Sequence, residues 1–419
     1  MKDKIKENRN HPEELERLYR SDRNLFASGF EEVYPDFENS ELANFWKIRL
    51  AFNQSDGKTK SFQWSDIIIL VAACLFTSFL IKYPAIFNND TFGYFYYLKN
   101  AGLIVLSGLS IFAIWTNKIY SNKNIAFIAL AFLVPAIYVN LLPSDKNSQS
   151  LNLAFIHLPL FLWCIYGLVY TGLDLKDKGK RIEYIKYNGD VLVIGALILI
   201  AGGIPTGITI GLFSAIDLHI EHFYMDYVAI CGLVSAPVVA SYIIQNYPAL
   251  TNKFAPVIAN IFSPLVLITL VIYLITIPVS GKNPYCNRDI LIIFNLMLLG
   301  VMGIIIFSIS ETSQNKTIRF NQIILFILSI VTIIIDAVAL SAIVYRLFAL
   351  GITPNRLVVL ISNLLIFVNL IMIMTDLYKI NFRKAEIGKV ELTIAKYLPL
   401  YLIYTFIIVF SFPLIFGMK

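Results

Sequence analysis

The chain has 419 residues, 57% of them hydrophobic and 15% charged, and its mean hydropathy is positive. Globular domains carry about a quarter charged residues, so this composition excludes a water-soluble enzyme or binding domain as the bulk of the molecule. The net charge of +6 is scattered between apolar runs and not gathered into a patch, which fits loops at an anionic membrane surface and argues against a nucleic-acid partner.

In chain order, Met1 to Asn10 is polar and basic and leads into an acidic amphipathic stretch, so no cleavable secretory signal is expected. Pro12 suits an early helical position, and Leu15, Leu18 and Tyr19 follow at helical spacing. Ser21 is placed to cap a second helix carrying Leu25, Phe26, Phe30 and Val33 until Pro35 stops it. Ser40 is placed to cap a third, carrying Leu42, Phe45, Trp46 and Leu50. With the polar linker Asn53 to Lys60, residues 1–60 read as a small helical head, expected on the cytoplasmic side.

From residue 61 to 419 long apolar runs alternate with short polar loops. A span needs about twenty predominantly apolar residues. This rule predicts eleven, give or take one, near 65–83, 97–116, 124–142, 151–171, 189–215, 224–246, 256–279, 289–310, 320–347, 356–378 and 396–416. The predicted fold is therefore all-α, a polytopic transmembrane bundle with an N-terminal head. Basic loops stay on the cytoplasmic side. With the head inside, the inner loops hold fifteen Lys and Arg from Lys118 to Lys396 and the outer side holds eight, which places the C-terminus outside. Trp64, Tyr94, Tyr96, Tyr97, Trp115 and Tyr120 lie at span ends, where interfacial belts or core filling both use aromatic rings. No internal repeat relates the two halves, and the odd span count argues against a doubled transporter.

Four segments carry a resemblance: HPEELERLYRSDRNLF with NSELANFWKIRL; GLVSAPVVASYII; APVIANIFSPLVLITLVIYL continuing through NPYCNRDILIIFNLMLLGVMGIIIFSISE; and YRLFALGITPNRLVVLISNLL. Together they resemble a family of bacterial polytopic membrane proteins, domain of unknown function 4153. The resemblance implies the same architecture in a bacterial inner membrane. It carries no activity and no functional residue.

Candidate constellations are few. Gly203, Gly207 and Gly211 recur every fourth residue around Pro205, a pattern that lets a second helix approach closely in lipid and invites a kink. In DLHIEHFYMDY, the residues Asp217, His219, Glu221, His222 and Asp226 make a weak metal candidate, with His219, Glu221 and His222 at its centre. The loop lacks HExxH or any similar spacing, and an interfacial, solvated connection is the favoured reading of these residues. Asn88, Asn89 and Asp90 read as a polar turn. Arg346 and Arg356 flank the hairpin YRLFALGITPNRL, where both guanidiniums are candidates for an anion or lipid headgroup. Asp336, inside LSIVTIIIDAVALSAIVYR, is the ionisable residue expected deepest in the membrane. It should face the bundle interior, because a carboxylate at that depth costs about 2.5 kcal/mol or more in lipid.

Cys74, Cys164, Cys231 and Cys286 form no CxxC pair, and His11, His157, His219 and His222 are the only histidines. No nucleophile stands beside a base, no Gly-rich loop cradles phosphate, and no catalytic residue or cofactor is expected. Three readings remain: a transporter or lipid-translocating protein, which leads; a scaffold or sensor whose head recruits a cytoplasmic protein; and a membrane-embedded enzyme acting on lipid. The lipid bilayer is a partner in all three.

Overall fold

In a bilayer core each backbone N–H and C=O must be satisfied within its own segment, and helices do this without edges. Every regular element among the described residues is helical. The computed structural model describes residues 1–37, 40–56, 63–86, 93–174, 176–279, 285, 288–312, 319–383 and 385–418. It divides into two units, Met1–Gln63 and Trp64–Lys419.

The first unit holds α1 (Lys2–Glu7), α2 (Pro12–Ser21), α3 (Arg23–Val33), a 3-10 turn over Tyr34–Phe37, and α4 (Glu41–Asp56). Its core joins Ile5, Leu15, Tyr19, Phe26, Phe30, Val33, Trp46 and Leu50, with the Phe26 and Trp46 rings 5.0 Å apart. The short α1, absent from the sequence reading, contributes Ile5. The cap of α3 is Asp22, not Ser21. Asp22 Oδ1 accepts from the Leu25 amide at 2.9 Å, while Ser21 closes α2 and its hydroxyl donates to the Leu18 carbonyl. One residue of shift puts the carboxylate three positions before an orphan amide, which is the reach a capping side chain has.

The second unit contains α5 (Trp64–Ile86), α6 (Gly93–Thr116), α7 (Asn122–Leu141), α8 (Gln149–Tyr170), α9 (Lys178–Ser214), α10 (Glu221–Phe223), α11 (Ile230–Asn246), α12 (Pro248–Val279), α13 (Arg288–Thr312), α14 (Arg319–Leu350), α15 (Pro354–Arg383), α16 (Gly388–Phe406) and α17 (Phe412–Ile415). A π-helical turn joins α10 to α11, and another joins α16 to α17. Among the described residues ten helices are long and apolar enough to cross a membrane. In α12 the described apolar stretch, Asn260–Thr276, is shorter than the other ten.

Two apolar cores organise this unit. One is built by α5, α6, α7, α8 and α11 around Leu109, Phe112, Phe155, Leu158 and Leu162. The other is built by α12 to α16 around Phe294, Leu298, Leu328, Ile335, Leu370 and Ile373. The helix α9 serves both, giving Tyr184 and Tyr187 to the first and Ile185 to the second. It starts eleven residues before the predicted span, at Lys178. There Asp177 accepts from the Gly179 and Lys180 amides, and the segment that the sequence suggested was a basic loop is helical, with Tyr184 and Tyr187 buried.

The glycine row does not do what its spacing suggests. Gly203, Gly207 and Gly211 are exposed, and a Cβ at any of them would meet nothing within 4 Å. Nor does Pro205 unwind α9, which runs unbroken from Lys178 to Ser214; Thr206 Oγ1 donates to the Gly202 carbonyl beside the proline. The close approaches are elsewhere. Gly102 sits under Pro159 with 2.5 Å from its would-be Cβ to Cγ, Gly167 under the Tyr184 ring at 2.7 Å, Gly108 under Thr77, and Gly189 under Phe307.

Candidate functional site

The α14–α15 hairpin turns through Gly351 at φ +79°, a left-handed conformation that glycine adopts without cost. Across this turn Arg356 Nη1 donates to the carbonyls of Leu350 and Gly351, 2.7 Å each, and so closes the last turn of α14. Arg346 stands one turn inside α14. Its Nη1 is shielded from solvent and has no hydrogen-bond partner among the described residues. Both arginines line one pocket of about 470 Å³, together with Gln149, Leu153 and Ile156 of α8, Leu291, Ile292 and Asn295 of α13, Ile343 of α14, and Thr353, Asn355 and Val359 at the start of α15. Among its described lining residues no side chain is acidic.

From the pocket a string of polar side chains runs into the bundle. Asn295 accepts from Asn363 Nδ2 at 2.9 Å, and Asn363 is almost fully buried. Six residues further along α15, about 9 Å by helical rise, Asn369 Nδ2 donates to the Tyr401 hydroxyl of α16 at 3.0 Å. Asn369 is fully buried and its Oδ1 has no donor among the described residues.

Asp336 of α14 is a further polar residue buried in this bundle. It is fully buried, and neither carboxylate oxygen has a hydrogen-bond partner among the described residues. Arg346 lies ten residues along the same helix, about 15 Å away, so it does not pair with Asp336. An unanswered buried acceptor costs about 1–3 kcal/mol, and more when charged. Two such oxygens on Asp336 and one on Asn369 are unanswered among the described residues of the bundle.

Several other buried polar groups have partners. Lys99 Nζ donates to the Leu142 carbonyl at 2.7 Å and to Ser144 Oγ, capping the end of α7. His157 Nε2 lies 3.1 Å from the Tyr404 hydroxyl. Asp376 accepts from Thr393 Oγ1 at 2.6 Å and meets Lys379 at 3.3 Å.

Of the residues singled out in the sequence, Arg346 and Arg356 come together and Asp336 lies deeper along the same helix pair. His219 meets Glu221 at 3.4 Å on an exposed connection, and His222 does not join them. No group of three or more His, Cys, Asp or Glu placed to hold a metal occurs among the described residues. Asn88, Asn89, Asp90 and Cys286 lie outside the described residues. Sequence reasoning passed over Asn295, Asn363, Asn369 and Tyr401. The signal was there, in asparagines six residues apart on a helix otherwise apolar at that depth.

No family model matches the chain, and no curated protein and no solved structure matches it either. The fold and the hydropathy of its helices define the class: an all-α, multi-pass integral membrane protein with a helical N-terminal unit.

Proposed function

We propose that this protein translocates a solute or lipid across a bacterial cytoplasmic membrane, with its head on the cytoplasmic side and the Arg346–Arg356 pocket opening outward. One observation carries the reading: Asp336, fully buried at mid-span, has no donor for either oxygen among the described residues. Holding a charge at that depth costs about 2.5–3.5 kcal/mol on insertion scales. A rigid scaffold gains nothing from it. A translocator gains a group that finds its partner, a proton or a cargo, when the helices around it rearrange. The asparagine string from the pocket to Asn369 and Tyr401 is the path such a rearrangement would wet.

The test needs no knowledge of the cargo. In a chain whose four cysteines are replaced by serine, Asn363→Cys and Asn369→Cys are treated with a membrane-impermeant thiol reagent, in intact cells and in inverted vesicles. Translocation requires labelling of both positions from at least one side, at rates well above those of Leu370→Cys in the apolar core. Complete protection of both positions from both sides would sink the reading in favour of a solid bundle.

A further inference from the structure

We infer that the pocket between α8, α13, α14 and α15 binds the phosphate group of an anionic lipid, with Arg346 and Arg356 as its cationic contacts. This supplies a ligand class for the translocation reading, and it rests on that reading for the lipid being cargo.

The charge argument comes first. Two guanidinium groups share a cavity with no carboxylate among its described lining residues, and Arg346 Nη1 is withdrawn from solvent without an acceptor. A desolvated guanidinium N–H is costly until an oxyanion meets it, and its planar fork suits phosphate in two-point contact. The side-chain amides of Gln149, Asn295 and Asn355 add donors from three helices. The pocket also takes in the first turns of α8 and α15, whose helix dipoles favour an anion. Arg356 is fixed in place because Nη1 is held by the Leu350 and Gly351 carbonyls.

Shape then selects the rest of the ligand. At about 470 Å³ the pocket is far larger than one phosphate needs and lies within the usual range for organic ligands. Its walls are mainly apolar, and Ile156 and Ile292 are 59% and 53% exposed. In a membrane-spanning unit such residues face acyl chains. A cavity with a cationic end and an apolar side open to lipid fits a phosphate carried on an apolar tail.

The experiment uses the full chain in a non-ionic detergent, titrated with dioctanoyl phosphatidic acid and followed by thermal unfolding and native mass spectrometry. A saturable rise in Tm and a bound lipid are expected, with dioctanoylglycerol, which lacks the phosphate, giving neither. Arg346→Gln should weaken binding at least tenfold, and Arg346→Lys should retain part of it. Ile156→Trp, at an exposed position outside the core, should weaken binding by narrowing the mouth, and it keeps the test valid if Arg346→Gln fails to fold. Lys123→Gln, remote from the pocket, should bind as the parent does. Unchanged binding in both Arg346→Gln and Ile156→Trp would overturn the site. Inorganic phosphate giving the same stabilisation at the same concentration would overturn the lipid assignment in favour of a free anion. Absent lipid binding with Asn369→Cys still labelled would overturn this ligand class alone, whereas lipid binding with Asn369→Cys protected would overturn translocation alone.

Discussion

At Asp336 two costs add, that of taking a carboxylate out of water and that of leaving it without a donor among the described residues. Replacing it with Asn keeps the shape and removes the charge. Asp336→Asn is therefore expected to leave Tm unchanged or raise it, as substitutions at strained functional sites do, while impairing the transport cycle. A clear fall in Tm would show that the carboxylate has a donor in the folded protein. The depth of this residue was legible in the sequence because a lone acid in an apolar run stands out. The glycine row was misread for a different reason: four-residue spacing marks a face that permits close approach, but says nothing about whether another helix of the chain is there. Gly167, beneath Tyr184, has that neighbour without any row to announce it. Gly167→Val should cost about 1–3 kcal/mol through overpacking, whereas Gly207→Leu should leave the Tm of the isolated chain unchanged. Thermal unfolding of the two variants side by side decides the point, and equal losses would contradict the packing described here.

Helices of the head show how much of an element a pattern of apolar residues gives away. The spacing of Leu15, Tyr19, Phe26, Phe30, Trp46 and Leu50 foretold the helices and most of their buried face, but Leu25 and Phe45, read with them, are exposed, and the boundary between α2 and α3 turned on one residue. Asp22→Ala removes the side chain that holds the Leu25 amide and should cost about 1 kcal/mol, against a few tenths for Ser21→Ala. Pairing between elements was not legible, because Glu16 of α2 meets Arg49 of α4 across 33 residues of chain. Glu16 accepts from Arg20 Nε at 2.9 Å, and Arg49 grips both of its oxygens, so the carboxyl lies below its ordinary value, through the Arg20 hydrogen bond first and against some desolvation. A depressed carboxyl contributes stability that is complete above its unfolded pKa and is lost as pH falls through the folded one. The head should therefore lose stability on acidification below the ordinary carboxylate range, and Glu16→Gln should flatten that part of the pH profile. A profile identical to the parent's would remove the pair from any account of the head's stability. The contribution is small, since Arg20 is largely exposed.

For the whole molecule, hydropathy foretold an all-helical, many-span architecture, because in lipid the backbone has few other solutions. The pocket was illegible. Its polar lining comes from Gln149, Asn295, Arg346, Thr353, Asn355 and Arg356, and only the last four, of the α14–α15 hairpin, are near one another in sequence. Side chains brought together by tertiary packing leave no spacing to read. What the sequence and the structure share is one decisive parity, that of α12. Its described apolar stretch, Asn260–Thr276, is shorter than those of the ten other candidate spans, yet the helix runs from Pro248 to Val279, 32 residues, or about 48 Å by helical rise. That exceeds the roughly 30 Å of a hydrocarbon core, so α12 has the length to cross. It also packs against α13 and α14, whose core takes in Leu270, as a crossing helix would. If α12 crosses, three helices separate Asn246 from Gly351, and the two lie on opposite sides; if it does not, two helices separate them and they share a side. Reporter enzymes fused after chains ending at Asn246 and at Gly351 should be active in opposite compartments, the first cytoplasmic as the excess of basic residues in the inner loops requires and the second outside. Activity in the same compartment would reduce the crossing helices to ten. It would also put the Arg346–Arg356 pocket on the cytoplasmic side if Asn246 remained inside, leaving the outward-facing site without support.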